Sequence, residues 1–173
     1  MSNSKTLRVG VLSLARPTFD VPFADQVSAD AWNLLEKIPV NWIGSRELLF
    51  DAESVESQIA KLKGNHIDLL LIMQLTFTDA TMTVKLAESF DVPLLFWSFP
   101  EKRTGGRLRL NSLCGVNLAS HALGKSGIKC DYINFSPNDP ETSVALSSWI
   151  RAFQTRKNLS KTKIHWWVVT TSY

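Results

Sequence analysis

Residues 93–115 read Pro-Leu-Leu-Phe-Trp-Ser-Phe-Pro-Glu-Lys-Arg-Thr-Gly-Gly-Arg-Leu-Arg-Leu-Asn-Ser-Leu-Cys-Gly. The apolar run from Pro93 to Phe99 predicts a buried parallel strand, and a basic loop with a glycine pair follows it. Asn111 or Ser112 suits the N-cap of an apolar helix that begins near Leu113. A strand that passes through such a loop into a helix N-terminus is typical of open α/β sheets, which bind ligands at the carboxyl edge. The alternative is a solvated connection whose arginines pair with a neighbouring subunit.

Strands and helices alternate in the same way along the rest of the chain. Short apolar runs predict strands at about residues 7–14, 40–44, 67–73, 93–99 and 129–135. Apolar residues spaced by three and four predict helices at about residues 23–38, 52–63, 80–90, 113–123 and 140–155. This alternation predicts a three-layer α/β/α fold with a parallel sheet, flavodoxin-like or Rossmann-like, and we expect the flavodoxin-like strand order.

Local signals mark several helix ends. Asp51 and Asp79 are the predicted N-caps of the second and third helices, and Gly64 is expected to end the second helix in a left-handed conformation. Asp139 followed by Pro140 is a cap followed by a first-turn proline, which predicts the start of the fifth helix.

The composition is that of an ordinary globular domain. The chain has 173 residues, of which 45% are hydrophobic and 20% charged, enough for one domain with a sizeable core. Its net charge of +3 is mostly scattered, which argues against a nucleic-acid partner, and the sequence has no apolar run long enough to span a membrane. Because a signal-peptide pattern is also missing, we expect a cytoplasmic protein in which Cys114 and Cys130 are buried, reduced thiols.

The C-terminal stretch differs from the rest of the chain. We expect residues 1–155 to form the α/β domain and residues 156–173 to form a basic linker and a strand-like tail. The tail reads Ile-His-Trp-Trp-Val-Val-Thr-Thr-Ser-Tyr from residue 164 and has no helix after it. Such a strand is either the first step into a missing domain or an edge strand of the sheet.

Several chemistries are excluded by spacing. The triplet Gly124-Lys125-Ser126 resembles the end of a P-loop, but Ala119 stands where the leading glycine should be, and no G-x-G-x-x-G follows a strand. His66, His121 and His165 lie on separate elements without metal-ligand spacing. Paired loop carboxylates, as acid–base catalysis requires, are not evident either. We therefore expect neither a catalytic set nor a metal site within this chain.

Polar loop residues remain, together with one aromatic, and they follow strands that should end at the same edge of the sheet. Such a set suits a polyol, whose hydroxyl groups need fixed hydrogen-bond partners and whose C–H face can lie on an aromatic ring. Ordinary loop polarity would explain the same residues. The candidate substrate-binding residues are Arg16, Gln74, Phe77, Glu101, Arg103, Arg107 and Asn111.

Three motifs together resemble the N-terminal domain of the L-fucose/L-arabinose isomerase family. They are Ala15-Arg16-Pro17, the segment Thr76-Phe77-Thr78-Asp79-Ala80, and residues 100–112, of which the last is the specific one. The resemblance covers roughly residues 7–155. It implies an aldose–ketose isomerase that acts on a pentose or hexose with a divalent metal such as manganese, whose ligands belong to later domains. It also implies a cytoplasmic homo-oligomer, commonly a hexamer.

The resemblance gives this domain a supporting role. In the family, the N-terminal domain lends substrate contacts to the active site of a neighbouring subunit; Arg16 matches a sugar-contacting arginine, and Phe77 lies near the position of a sugar-stacking aromatic. Because the tail departs from the family pattern, we expect a truncated chain that does not isomerise sugars alone. The alternatives are a stand-alone sugar- or anion-binding module without enzymatic activity and a structural remnant without a ligand.

Overall fold

The structure, a computed structural model, describes residues 7–163. Within that range five parallel strands alternate with five helices, and the strand order in the sheet is β2-β1-β3-β4-β5. This is the flavodoxin-like order, so the predicted fold class and strand order are confirmed. The elements are β1 Arg8–Leu14, α1 Val21–Leu35, β2 Asn41–Leu49, α2 Ala52–Lys63, β3 Leu69–Gln74, α3 Thr81–Ser89, β4 Leu94–Ser98, α4 Ser112–Lys125, β5 Cys130–Asn134 and α5 Pro140–Leu159.

Helices cover both faces of the sheet and create two hydrophobic cores. Side chains alternate between the faces of a strand, so Leu69 and Leu71 of β3 enter one core while Leu70 and Ile72 enter the other. Helices α1 and α5 pack on the first face, and α2, α3 and α4 on the second. Burial on both sides explains why β3 and β4 are nearly continuous apolar runs in the sequence.

The N-terminal ends of two helices form as their sequences predict. The Asp51 carboxylate accepts a hydrogen bond from the Ser54 N–H at 2.8 Å and begins α2 as part of a capping box. The Asp139 carboxylate accepts from the Glu141 N–H at 2.9 Å, with Pro140 in the first turn of α5. Each cap bonds an N–H group at most three residues later in the chain, and both predictions are confirmed.

Two predicted helix ends are wrong in detail. Gly64 caps α2 with a right-handed φ of −67°, because its N–H still donates to the Ala60 carbonyl in a helical turn. The N-cap of α3 is Ala80 rather than Asp79. The Asp79 carboxylate nevertheless accepts a hydrogen bond from the Thr81 N–H at 3.1 Å, so it supports the start of the helix from one residue earlier.

Two elements are longer than predicted. Strand β2 continues to Leu49 because it pairs with β1 again after an irregularity at its polar residues 45–47. Helix α5 continues to Leu159, so residues 156–159 of the predicted linker are helical. Lys157 anchors that last turn through an ion pair with Asp68, whose Oδ2 lies 2.6 Å from the lysine Nζ. Residues 164–173 of the predicted tail lie outside the described residues.

Helix α4 is buried on one side only. Leu113 and Leu118 are each 38% exposed on its outer side, so the sheet covers only one side of the helix. Cys114 is exposed and Cys130 half-buried, and both are free thiols. The expectation that both cysteines are buried is therefore wrong, because Cys114 lies on the outward side of the first turn and Cys130 is only half-buried.

Candidate functional site

Three loops meet at the carboxyl edge of the sheet and are joined by hydrogen bonds. They are residues 15–20 after β1, 75–80 after β3 and 99–111 after β4, and we call them together the rim. The Arg16 N–H donates to the Thr76 hydroxyl at 2.7 Å, and the Phe77 N–H donates to the Leu110 carbonyl at 2.8 Å. The rim is therefore one connected structure.

The rim includes the point where the strand order reverses. The chain leaves β1 toward one face of the sheet and β3 toward the other, because α1 and α3 lie on opposite faces. In open α/β sheets a crevice opens at such a point, and ligands bind there. The crevice here is a cleft of about 430 Å³, within the usual range for a small-molecule site. Its lining includes Arg16, Thr18, Phe50, Thr78, Asp79 and Met82.

Two opposite charges lie next to each other in the lining of this cleft. The Arg16 guanidinium Nη2 lies 3.7 Å from Asp79 Oδ2, and both side chains are about half exposed. Hydrogen bonds from Thr81 and the charge of Arg16 hold the pKa of Asp79 below its usual value, so its carboxyl group is ionised at neutral pH. The cleft thus offers a charged donor, a charged acceptor and the threonine hydroxyls beside the apolar surfaces of Phe50 and Met82.

Glu101 organises the longest loop of the rim. Its carboxylate accepts hydrogen bonds from three successive backbone N–H groups: Arg109 at 2.6 Å, Leu110 at 3.0 Å and Asn111 at 2.7 Å. This holds the end of the loop against its beginning and places the start of α4. The geometry favours a structural role for Glu101, whose two oxygens are both occupied within the chain.

Gln74 lies beneath the rim rather than on it. Its side chain is fully buried, and its amide nitrogen donates to the Thr76 carbonyl at 2.7 Å and the Thr78 hydroxyl at 3.0 Å. Helix α4 packs directly on it, since a Cβ added to Gly115 would lie 3.0 Å from Gln74 Cγ. Gln74 therefore holds the 75–80 loop in place. Its side-chain NH₂ group donates within that loop and not into the cleft.

Arginine side chains from the third loop lie on aromatic rings from the first loop and α1. The Arg107 guanidinium carbon lies 4.9 Å from the Phe19 ring centroid, and the Phe19 and Phe77 centroids are 6.3 Å apart. Arg109 lies 3.9 Å from the Phe23 ring centroid, and its Nε donates to Asp20 Oδ2 at 2.7 Å. That hydrogen bond, with one from the Phe23 N–H, holds the pKa of Asp20 below its usual value.

The remaining candidates line a second, smaller cleft of about 240 Å³ beside the start of α4. Arg103, Glu101 and Asn111 contribute to it, together with Leu108 and Asn134. Asn111 takes a left-handed conformation with φ of 51°, which asparagine tolerates better than most residues, and its side chain makes no capping hydrogen bond.

The structure therefore places all seven candidates at one edge of the sheet but not in one cleft. Arg16 faces the larger cleft, and Arg103, Glu101 and Asn111 line the smaller one. Phe77 and Arg107 are connected through Phe19, and Gln74 lies below. The sequence-based prediction lacks Phe19, Thr78 and Asp79, although the last two belong to the motif Thr76–Ala80 that carries the resemblance. Thr78 and Asp79 lie in the loop after β3, at the carboxyl edge of the sheet, and this position is the sequence signal that could have identified them.

The described residues do not fit a metal site. Within residues 7–163, no group of three or more His, Cys, Asp or Glu side chains is arranged to hold a metal ion. This part of the chain therefore supplies no ligand set for the manganese that the family resemblance implies. Among the helices of the same region, none is long and apolar enough to cross a membrane.

Comparison with known proteins identifies the family. The pattern that defines the "Fucose/sulfoquinovose isomerase, N-terminal domain" family matches residues 10–160. This chain belongs to that family. The family resemblance stated from the three motifs is thereby confirmed, and the matched region contains the entire rim.

Similar proteins carry the name sulfoquinovose isomerase. Those of Priestia aryabhattai and Priestia megaterium are each 30% identical over 164 residues, and that of Alkalicoccus urumqiensis is 28% identical over 158 residues. The match covers 95% of this chain but 36% of each Priestia protein, so the chain spans about a third of their length. A solved lac repressor dimer bound to operator matches 75% of this chain and 56% of that one, with a TM-score of 0.41 and 12% identity, too little to support an argument.

Proposed function

We propose that this chain is the substrate-contacting N-terminal domain of a metal-dependent aldose–ketose isomerase. In this proposal the rim holds the sugar, while the groups that bind the metal and transfer the proton lie outside the region that the family pattern matches. A divalent metal such as manganese, assembly as a homo-oligomer and a cytoplasmic location belong to the same proposal. All three come from the family resemblance.

The cleft at Arg16 is the observation that carries the proposal. It lies at the reversal of strand order, has the volume of a small-molecule site, and presents a guanidinium and a carboxylate 3.7 Å apart. Sugar hydroxyl groups both donate and accept hydrogen bonds, so a neighbouring donor and acceptor can each hold one end of a diol. The half-buried ring of Phe77 lies outside the lining of the cleft, on the loop bonded to Arg16, and in this proposal the C–H face of the sugar extends onto it.

The proposal can be tested by following backbone amide resonances of the 173-residue chain during titration with L-fucose and D-glucose. We expect shifts confined to residues 15–20 and 75–80. Arg16→Ala should weaken binding about fivefold or more, because it removes a charged donor to the sugar. Arg46→Ala is the matched control, since Arg46 is also half exposed and paired with one carboxylate, that of Glu36, but lies on β2.

Equal effects of the two substitutions, or shifts centred away from the rim, would contradict the proposed site. A second measurement tests where the chemistry lies. The purified chain with Mn²⁺ is expected to produce no ketose from an aldose, and metal-dependent ketose formation would overturn the proposal that the reacting groups lie elsewhere.

A further inference from the structure

A groove runs along the amino edge of the sheet, at the opposite end of the strands from the rim. Its lining comes from the residues that lead into β1, β3, β4 and β5 and from the last turns of α5. It consists of two adjoining clefts, of about 220 and 410 Å³, which share Pro93 and Arg156. The other apolar residues in the lining include Leu7, Phe90, Val92, Ile128 and Phe153. We call it the amino-edge groove.

The amino-edge groove also contains a cation without a carboxylate partner. Arg156 is exposed and lines both clefts, yet it forms no ion pair within residues 7–163. The neighbouring Lys157 is paired with Asp68, and Asp91 in the larger cleft forms no ion pair with Arg156. A guanidinium in such a position suits an aromatic ring, because arginine stacks on ring faces and tryptophan gives the strongest cation–π contact.

The chain leaves α5 beside this groove. Ser160 lines the smaller cleft, and residues 160–162 continue in turns, since the Thr162 N–H donates to the Leu159 carbonyl at 2.9 Å. Leu159 itself is 65% exposed. Ile164 follows Ser160 by four positions, which span about 14 Å at most. The apolar segment that begins at Ile164 therefore starts within reach of the groove.

The topology argues against an edge strand beside β5 as the place of this segment. Connections between parallel strands of one sheet are right-handed in about 98% of cases. Here the connections through α2, α3 and α4 advance toward β5, whereas α1, on the opposite face, leads from β1 back to β2. Helix α5 lies on the same face as α1. A sixth strand beside β5 would therefore need the rare left-handed connection.

A strand beyond β2 would have the usual hand but is far from the end of α5. The last turn of α5 is held at Asp68, the residue before β3, through Lys157. The position beyond β2 lies three strand spacings from β3, about 14 Å. Since residues 160–162 are wound in turns, the span would fall to the residues that follow them. The two tryptophans would then belong to an exposed linker, which is unfavourable for such large apolar side chains.

We infer that residues 164–169, which read Ile-His-Trp-Trp-Val-Val, pack into the amino-edge groove of their own chain and place a tryptophan on the guanidinium of Arg156. The segment contains no Asp, Glu, Lys or Arg, so its burial removes no such charge from water. Its aliphatic and aromatic side chains match the apolar lining of the two clefts. This inference does not depend on the proposed function, which concerns the opposite edge of the sheet.

The first test compares backbone amide resonances of the 173-residue chain with those of a double variant, Trp166→Ser and Trp167→Ser. We expect the resonances to move at residues 90–93, 127–129 and 153–160, which contain most of the groove lining, and to stay in place along β5 and the rim. Unchanged dispersion of the rim resonances shows that the variant is folded.

The matched control for this variant is Tyr173→Ser. It removes an aromatic ring from the same stretch of chain but outside the proposed segment, and it should leave the groove resonances unchanged.

The second test concerns the aromatic contact. Arg156→Gln should raise the undocked fraction of the segment about two- to fivefold. The readout is movement of the Trp166 and Trp167 indole N–H resonances toward their positions in a free peptide of residues 164–173. Arg151→Gln is the control, since Arg151 is another exposed arginine of α5 but lines neither cleft, and it should leave these resonances in place.

Each other result would overturn the inference. Resonance changes along β5 would assign the segment to the edge of the sheet, and changes confined to residues 160–163 would show that the groove stays open. Groove changes that grow with protein concentration would make a second copy the occupant. Equal changes in Tyr173→Ser would overturn the assignment to residues 164–169, and equal effects of Arg156→Gln and Arg151→Gln would overturn the aromatic contact. All of these results leave the proposed function standing.

Discussion

Replacement of Glu101 by alanine should loosen the rim without disturbing the sheet. The carboxylate accepts from the N–H groups of Arg109, Leu110 and Asn111, at 2.6, 3.0 and 2.7 Å. Leu110 is fully buried and Asn111 is half-buried, so water cannot fully replace the carboxylate at those two positions, whereas Arg109 is exposed. Losing a charged acceptor for two such groups should cost about 2–4 kcal/mol in the stability of the loop.

Hydrogen exchange combined with urea unfolding measures this cost. We expect the amides of Leu110 and Asn111 to exchange at least about tenfold faster in Glu101→Ala, since about 1.4 kcal/mol corresponds to a factor of ten. Glu101→Gln keeps one acceptor oxygen and should show a smaller effect. Glu47→Gln is the control, because Glu47 is exposed on β2 and should change stability by less than about 0.5 kcal/mol.

Unchanged exchange at Leu110 and Asn111 in Glu101→Ala, with the same unfolding midpoint as the natural chain, would refute the role assigned to Glu101. Exchange that is faster by the same factor throughout the sheet, with no larger change at Leu110 and Asn111, would refute it as well, because the carboxylate would then support the core rather than the loop.

Two further predictions concern packing and charge. Gly115→Ala should lower the free energy of unfolding by about 1–3 kcal/mol, because the added Cβ would press on Gln74. Gly124→Ala in the same helix has open space around the new Cβ and should raise it by about 0.5 kcal/mol. Urea unfolding measures both changes. Asp68→Asn should cost about 1–3 kcal/mol at neutral pH, since Asp68 and its partner Lys157 are only 11% and 19% exposed. Burial raises the pKa of Asp68, but the hydrogen bonds from Lys157 and a backbone N–H outweigh it and lower the pKa below the ordinary 3.8. The stabilisation by Asp68 is therefore complete above pH 3.8 and is lost as the pH falls below it. The difference in the free energy of unfolding between the natural chain and Asp68→Asn should narrow in acid. A difference that stays constant with pH would contradict the assignment.

Features with short-range causes could be predicted from the sequence. The caps at Asp51 and Asp139 depend on residues within three positions, and the alternation of strands and helices specifies a parallel sheet without knowledge of any contact. The prediction for strand β2 was too short because its polar residues 45–47 interrupt the apolar pattern while the backbone resumes pairing with β1.

The roles of individual rim residues depend on distant partners and could not be predicted in this way. Glu101 is a lone acid in a basic loop, and the sequence does not reveal that it accepts from N–H groups eight to ten residues later. The sequence does not distinguish Arg107 from Arg109, yet only Arg109 forms an ion pair with Asp20. Gln74 follows an apolar run as a loop residue would, but it is the last residue of β3 and lies under α4.

The contact between Asp20 and Arg109 also bears on the order of assembly. These residues are 89 positions apart, so the contact can form only after the intervening strands and helices have been synthesised. A nascent chain that has emerged as far as β3 and the loop after it contains Arg16 and Phe77 but lacks Leu110, whose carbonyl accepts a hydrogen bond from the Phe77 N–H. The three-loop rim should therefore be complete only late in synthesis, as a property of the assembled four-strand unit rather than of any shorter fragment.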